Sequence, residues 1–161
     1  MDRCHVKDSD SAADSLLRHN LREALYWKAL NFASVARLGG CAQYPLDSAF
    51  CEADDACRTL QNMCGSKNSQ VNGIELFVEA TILFCRAQAL KGGHVTVEQV
   101  QGKTQQELWQ ECLNMYLQSY RILSAARLHL NSETVKTVTM IALCNILLGH
   151  SQAAIEWAVL L

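Results

Sequence analysis

The sequence predicts an all-α fold of about six antiparallel helices. Apolar residues recur at three- and four-residue steps along nearly the whole chain, glycines and polar turn formers close each periodic stretch, and no two alternating segments are placed to pair as strands. A helical-repeat-like stack is the expected arrangement of these helices, and a closed helical bundle is the alternative.

Residues 1–10 are polar and read as a disordered tail, leaving residues 11–161 as a single helical domain. Ser11 and Asp14 have capping-box spacing and open a first helix over about 12–38, in which Leu17, Leu21, Leu25, Phe32 and Val35 follow the helical period. Gly39 and Gly40 stop it, since glycine takes the left-handed conformation that ends a helix. Pro45 lies in the next loop, and Asp47 or Ser48 is placed to cap a second helix carrying Phe50, Ala53, Cys57, Leu60 and Cys64 on one side. Gly65 closes that helix. Leu76, Ala80, Leu83, Ala87 and Leu90 form the stripe of a third, over about 74–90, widened by Phe77 and Phe84.

The segment Val95–Val100 alternates like a strand but has nothing to pair with, so it reads as a loop or helical turn. Thr104 and Glu107 form the clearest capping box, and the helix they open, about 105–129, is apolar on more than one face. Asn131 or Ser132 caps a fifth helix ending near Leu148, Gly149 terminates it, and residues 151–161 form a sixth. The apolar run Trp157–Leu161 has two readings: this is the amino-terminal part of a longer protein, or the last helix docks into the core.

Of the 161 residues, 50% are hydrophobic and 19% charged, an apolar balance that drives collapse and argues against disorder. Lys and Arg number 14 against 16 Asp and Glu, a net charge of -2 with no basic block. The long-range attraction that nucleic acids and anionic membranes require is therefore lacking, and neither is an expected partner. No apolar stretch approaches the roughly 20 residues of a spanning helix, and the polar start does not read as an export signal. Cytoplasm or nucleus is the expected location. With no export signal, the eight cysteines read as reduced thiols, four of them at apolar helix positions where a thiol acts as a small hydrophobe.

Candidate chemistry is sparse. Cys51, Cys57 and Cys64 are spaced by six and seven residues, unlike a zinc knuckle, and fit small core residues better. Cys4-His5 lies in the tail and His94 in a glycine-rich loop, while His19, His129 and His150 fall near helix surfaces or ends. Asp54 and Asp55 are adjacent, point in different directions and suit a solvated face. Gly39-Gly40 and Gly92-Gly93 belong to no phosphate-binding motif. No catalytic, cofactor-binding or metal-ligating residue is therefore assigned, and no cofactor is expected. Trp27, Trp109, Tyr116, Tyr120 and Trp157 read first as core; Trp157 is the one expected to be exposed, at the edge of a helical array.

Residues 135–161 carry Gly149, Ala154 and Trp157, with Ala153 and Ile155 beside them, and this window resembles a tetratricopeptide repeat. In that family the glycine makes the turn, the alanine lets paired helices approach, and the aromatic fills the gap to the next unit. Val138 and Ile141-Ala142 stand where the family's first helix carries an aromatic and a Leu-Gly or Leu-Ala pair. The resemblance implies a stack of helix pairs whose grooves bind peptides or other subunits. Asn145 and Lys136 lie on the candidate first helix, without the set of basic residues that would hold a peptide carboxylate. The expected function is a non-catalytic scaffold or adaptor subunit that binds protein, either another subunit or itself. A structural bundle that homodimerises is one alternative, and an enzyme with a cryptic Cys/His site is another.

Overall fold

The computed structural model describes residues 5–63, 69–125 and 132–161, and the side chains of 12–63, 73–125 and 132–161 among them. Six α-helices run in order: α1 His5–Arg37, α2 Leu46–Met63, α3 Ser69–Lys91, α4 Gln105–Ala125, α5 Ser132–Leu147 and α6 Ser151–Ala158. One turn of 3-10 helix, Glu98–Val100, lies between α3 and α4, on the segment whose alternation resembled a strand. Cys4, Cys64, Gly65, His129 and Asn131 lie outside the described residues.

Local sequence chemistry sets most of the helix ends. At α4 the expected capping box is formed: the Glu107 N–H donates to Thr104 Oγ1 at 3.3 Å, and Glu107 Oε2 accepts from the Thr104 N–H at 2.7 Å and its hydroxyl at 2.8 Å. The caps expected at α1 and α2 differ. α1 begins at His5 and passes straight through Ser11 and Asp14. Pro45 is the residue before α2, and its carbonyl accepts from the Ala49 N–H at 2.9 Å; Asp47 and Ser48 therefore sit inside the first turn. Proline suits such a helix start because it has no N–H to leave unpaired.

The glycine pairs have a steric purpose beyond stopping helices. Gly40 has φ +81°, and a Cβ there would lie 2.5 Å from the backbone N of Leu46. The His94 imidazole lies between the ends of α1 and α3: a Cβ on Gly39 would fall 2.9 Å from its Nδ1, and one on Gly92 would fall 2.8 Å from its Cδ2.

The packing is that of a closed bundle, which corrects both the expected repeat stack and the tetratricopeptide resemblance. α1 packs on α2 and also on α3, and α2 packs on α3 as well. Buried side chains of α1 to α5 make one continuous core, against which Trp157 of α6 also packs. Tyr116 of α4 is central: it is fully buried, its hydroxyl lies 2.9 Å from Thr81 Oγ1, and its ring is 5.6 Å from that of Phe77. The apolar breadth of α3 and α4 thus serves a shared centre rather than successive layers. Gly149 does make the α5–α6 turn, with φ +80°, and Ala154 is buried. The aromatic of that hairpin points back, however: Trp157 meets Tyr120 edge to face at 5.0 Å instead of reaching toward a next unit.

Small residues bring α1 and α2 together. Ala29, Ala33 and Ala36 of α1 and Ala49, Ala53 and Ala56 of α2 are all buried, and Lys28 and Glu52 pair across the two helices at 2.7 Å. The amino-terminal half of α1 behaves differently. Leu16, Leu17 and Leu21 are exposed, and the helical period puts Leu17, nine residues before the buried Tyr26, on the side opposite it. Among the described residues no helix is long and apolar enough to cross a membrane.

A candidate binding groove between the first and fifth helices

A groove of about 460 Å³ lies between α1, the end of α2 and the starts of α3 and α5. The helical period sets His19, Arg22, Glu23, Tyr26 and Trp27 along its α1 wall. Leu60 and Ile74 contribute an apolar floor, and Ser132, Glu133 and Lys136 come from the first turn and a half of α5.

Side chains more than a hundred residues apart in sequence are tied together in this groove. Tyr26 Oη donates to Glu133 Oε2 at 2.8 Å, and Lys136 Nζ donates to Glu133 Oε1 at 2.9 Å and to Tyr26 Oη at 3.3 Å. The Lys136 ammonium also lies 5.3 Å from the Tyr26 ring centroid and 5.2 Å from that of Trp27. Burial, with the neighbouring Glu133 carboxylate second, pushes the Tyr26 phenol well above its usual range, so it stays a proton donor at any ordinary pH. Trp27 is 48% exposed and forms the open aromatic wall. Arg22 differs from its neighbours, because its Nε is buried and has no hydrogen-bond partner.

A second groove, between α2, α3 and α4, is satisfied by its own residues. Arg86 pairs with Asp54 at 2.5 Å and lies over the Phe50 ring at 4.9 Å, Lys103 pairs with Glu111 at 2.6 Å, and Gln61 bonds Glu79 at 3.2 Å. Asp54 therefore bridges two helices, whereas Asp55 pairs with Arg58 on the exposed face as a solvated carboxylate would.

The thiols divide by environment. Cys57, Cys85, Cys112 and Cys144 are buried and Cys41 and Cys51 exposed, all six as free thiols. Cys51 and Cys57 therefore do not share a buried face. Burial raises Cys57 to about 12, Cys85 to about 11 and Cys144 to about 12, and raises Cys112 as well. Such thiols are protonated and poor nucleophiles. Among the described residues no group of three or more His, Cys, Asp or Glu could hold a metal ion.

Comparison of the chain with known protein families, curated proteins and solved structures gives no match. Sequence reasoning named Lys136 without its setting and did not single out Tyr26, Glu133 or Arg22. The i,i+4 spacing of Arg22 and Tyr26 and the i,i+3 spacing of Glu133 and Lys136 were the available signals, each local to one helix. Asn145, the other clamp candidate, is buried and donates to the Ile141 carbonyl of its own helix at 2.9 Å. Trp109 and Tyr116 are core, as expected. Trp157 is half-buried against Tyr120, and Trp27 is the exposed indole instead.

Proposed function

We propose that this chain is a non-catalytic helical bundle that acts by associating with protein through the outer face of its α5–α6 hairpin, a second copy of itself being the favoured partner. One observation carries this reading. α6 packs on α5, and aliphatic side chains of this hairpin and of the residues just after it remain exposed: Ile155 at 58%, Val159 at 78%, with Leu160, Leu161 and, on α5, Ile146. Exposed aliphatic side chains gathered on one hairpin lose little by desolvation and gain from burial.

The size of the patch sets the expected strength. Five such side chains offer on the order of 500 Å² to a partner, against roughly 800 Å² per partner in a standard interface. Association is then weak and depends on concentration. The free, mostly buried thiols fit a reducing compartment, cytoplasm or nucleus, in this reading.

Sedimentation velocity over a concentration series tests it. The weight-average mass should rise from one chain toward two between micromolar and hundreds of micromolar, and Ile155→Glu with Val159→Glu should hold it at one. A monomer throughout the range, or dimerisation untouched by both substitutions, would sink the proposal.

A further inference from the structure

The groove between α1 and α5 contains a donor with nothing to bind. Arg22 lies one turn before Tyr26 on the same side of α1, and its buried Nε–H meets no acceptor. The other groups at this end are engaged: Glu133 accepts from Tyr26 and Lys136, and Lys136 donates to both. Removing an N–H from water without supplying an acceptor is costly, and Arg22 as a whole is only partly buried, so turning its guanidinium toward an acceptor in the groove is favoured.

We infer that this groove binds an acidic, apolar peptide segment of another protein, with one carboxylate held by the Arg22 guanidinium. Three features select that class. A guanidinium presents paired N–H donors that match the two oxygens of a carboxylate. The formal charges of Arg22 and Lys136 are balanced by Glu23 and Glu133, so a single added negative charge is tolerated where a phosphate dianion would be repelled. Ile74 and the open face of Trp27 provide an apolar surface for the residue beside the carboxylate. This site lies at the start of α5, away from Ile146 at its other end, and does not depend on self-association.

The test is two-dimensional NMR of the full chain titrated with three probes: the capped pentapeptide Ala-Ala-Phe-Glu-Ala, its Gln-for-Glu counterpart, and inorganic phosphate. The acidic peptide should shift the Trp27 indole N–H and the Arg22 Nε–H in a saturable way, and the other two probes should not. Arg22→Lys should weaken binding at least fivefold, and Arg22→Gln should abolish it while leaving the remaining spectrum in place. No saturable shift up to millimolar peptide overturns the inference. So does an equal response to phosphate or to the Gln peptide, or undiminished binding by Arg22→Gln. Should Arg22→Gln fail to fold, Arg22→Lys and Trp27→Ala decide it, and unaltered affinity in both overturns it.

Discussion

The hydroxyl of Ser119 on α4 donates to the backbone carbonyl of Gly73 on α3 at 2.7 Å, where the glycine has no side chain of its own to hold the two helices apart. A Cβ on Gly73 would lie 2.9 Å from Leu123 Cγ and 3.2 Å from Ile122 Cγ2. Gly73→Ala should therefore destabilise the fold, despite the gain of roughly 1 kcal/mol that alanine brings to a helix interior, because overpacking costs about 1–3 kcal/mol. Ser119→Ala, which removes a buried donor, should cost about 1 kcal/mol. Urea denaturation of the two variants checks both values, and a stabilised Gly73→Ala would show that α3 and α4 do not meet at this point.

The capping box at α4 gives a pH dependence with a definite sign. Hydrogen bonds from the Thr104 N–H and hydroxyl hold the Glu107 carboxyl below its usual value of 4.5. A carboxyl lowered on folding stabilises the protein above the unfolded pKa, and the contribution disappears as pH falls through the folded value. Thr104→Ala should cost about 1 kcal/mol at pH 7, and the difference from the parent chain should shrink as pH falls below the usual carboxyl value of 4.5. Chemical denaturation at pH 7 and pH 3 measures it.

Buried thiols produce the opposite dependence. Cys57, Cys85 and Cys144 titrate above 9.0 in the folded chain, so the folded state keeps protons that the unfolded chain gives up. Stability is fully present below about pH 9 and falls as pH rises toward the folded values. Melting temperature between pH 8 and pH 11 should decline, and Cys144→Ala should flatten the decline. In native buffer a thiol reagent should modify Cys41 and Cys51 rapidly and the four buried cysteines only on unfolding, as read by peptide mapping.

The Tyr26–Glu133 bond joins α1 to the first turn of α5. Tyr26→Phe keeps the ring against Phe77 and removes only the hydroxyl, so the cost should be about 1 kcal/mol. Hydrogen exchange should quicken at the start of α5 and stay unchanged in the Ala29–Ala36 stretch of α1. Uniform quickening along both helices would show that the hydroxyl supports the whole bundle rather than this junction.

The helices, the start of α4 and the α5–α6 turn were legible in the sequence because the signals that set them are local. Thr104 and Glu107 make their bonds within one turn, and Gly149 turns the chain where the periodic pattern stops. Their arrangement was less legible. Phe77, Phe84 and Tyr116 announce broad apolar faces, but an apolar face does not specify its partner, and the resemblance at Gly149, Ala154 and Trp157 suggested a stack where the chain builds one core. The start of α1 misled for a similar reason: Ser11 and Asp14 have the right spacing for a cap, but nothing between His5 and that point stops a helix from continuing through it. The groove depended on joining Tyr26 to Glu133, a relationship between distant helices that no local pattern encodes.

His94 between Gly39 and Gly92 shows how a missing side chain can fix a residue's identity. The imidazole occupies volume that any β-carbon on either glycine would claim, so the three positions are chosen jointly rather than one by one. They differ in how far that dependence goes. Gly39 has φ +93° and would resist substitution whatever stood at 94, whereas Gly92 is constrained by the imidazole alone. An alanine harmful at 92 beside His94 becomes acceptable once position 94 is small, so tolerance at 92 is decided by the occupant two residues further along the same loop.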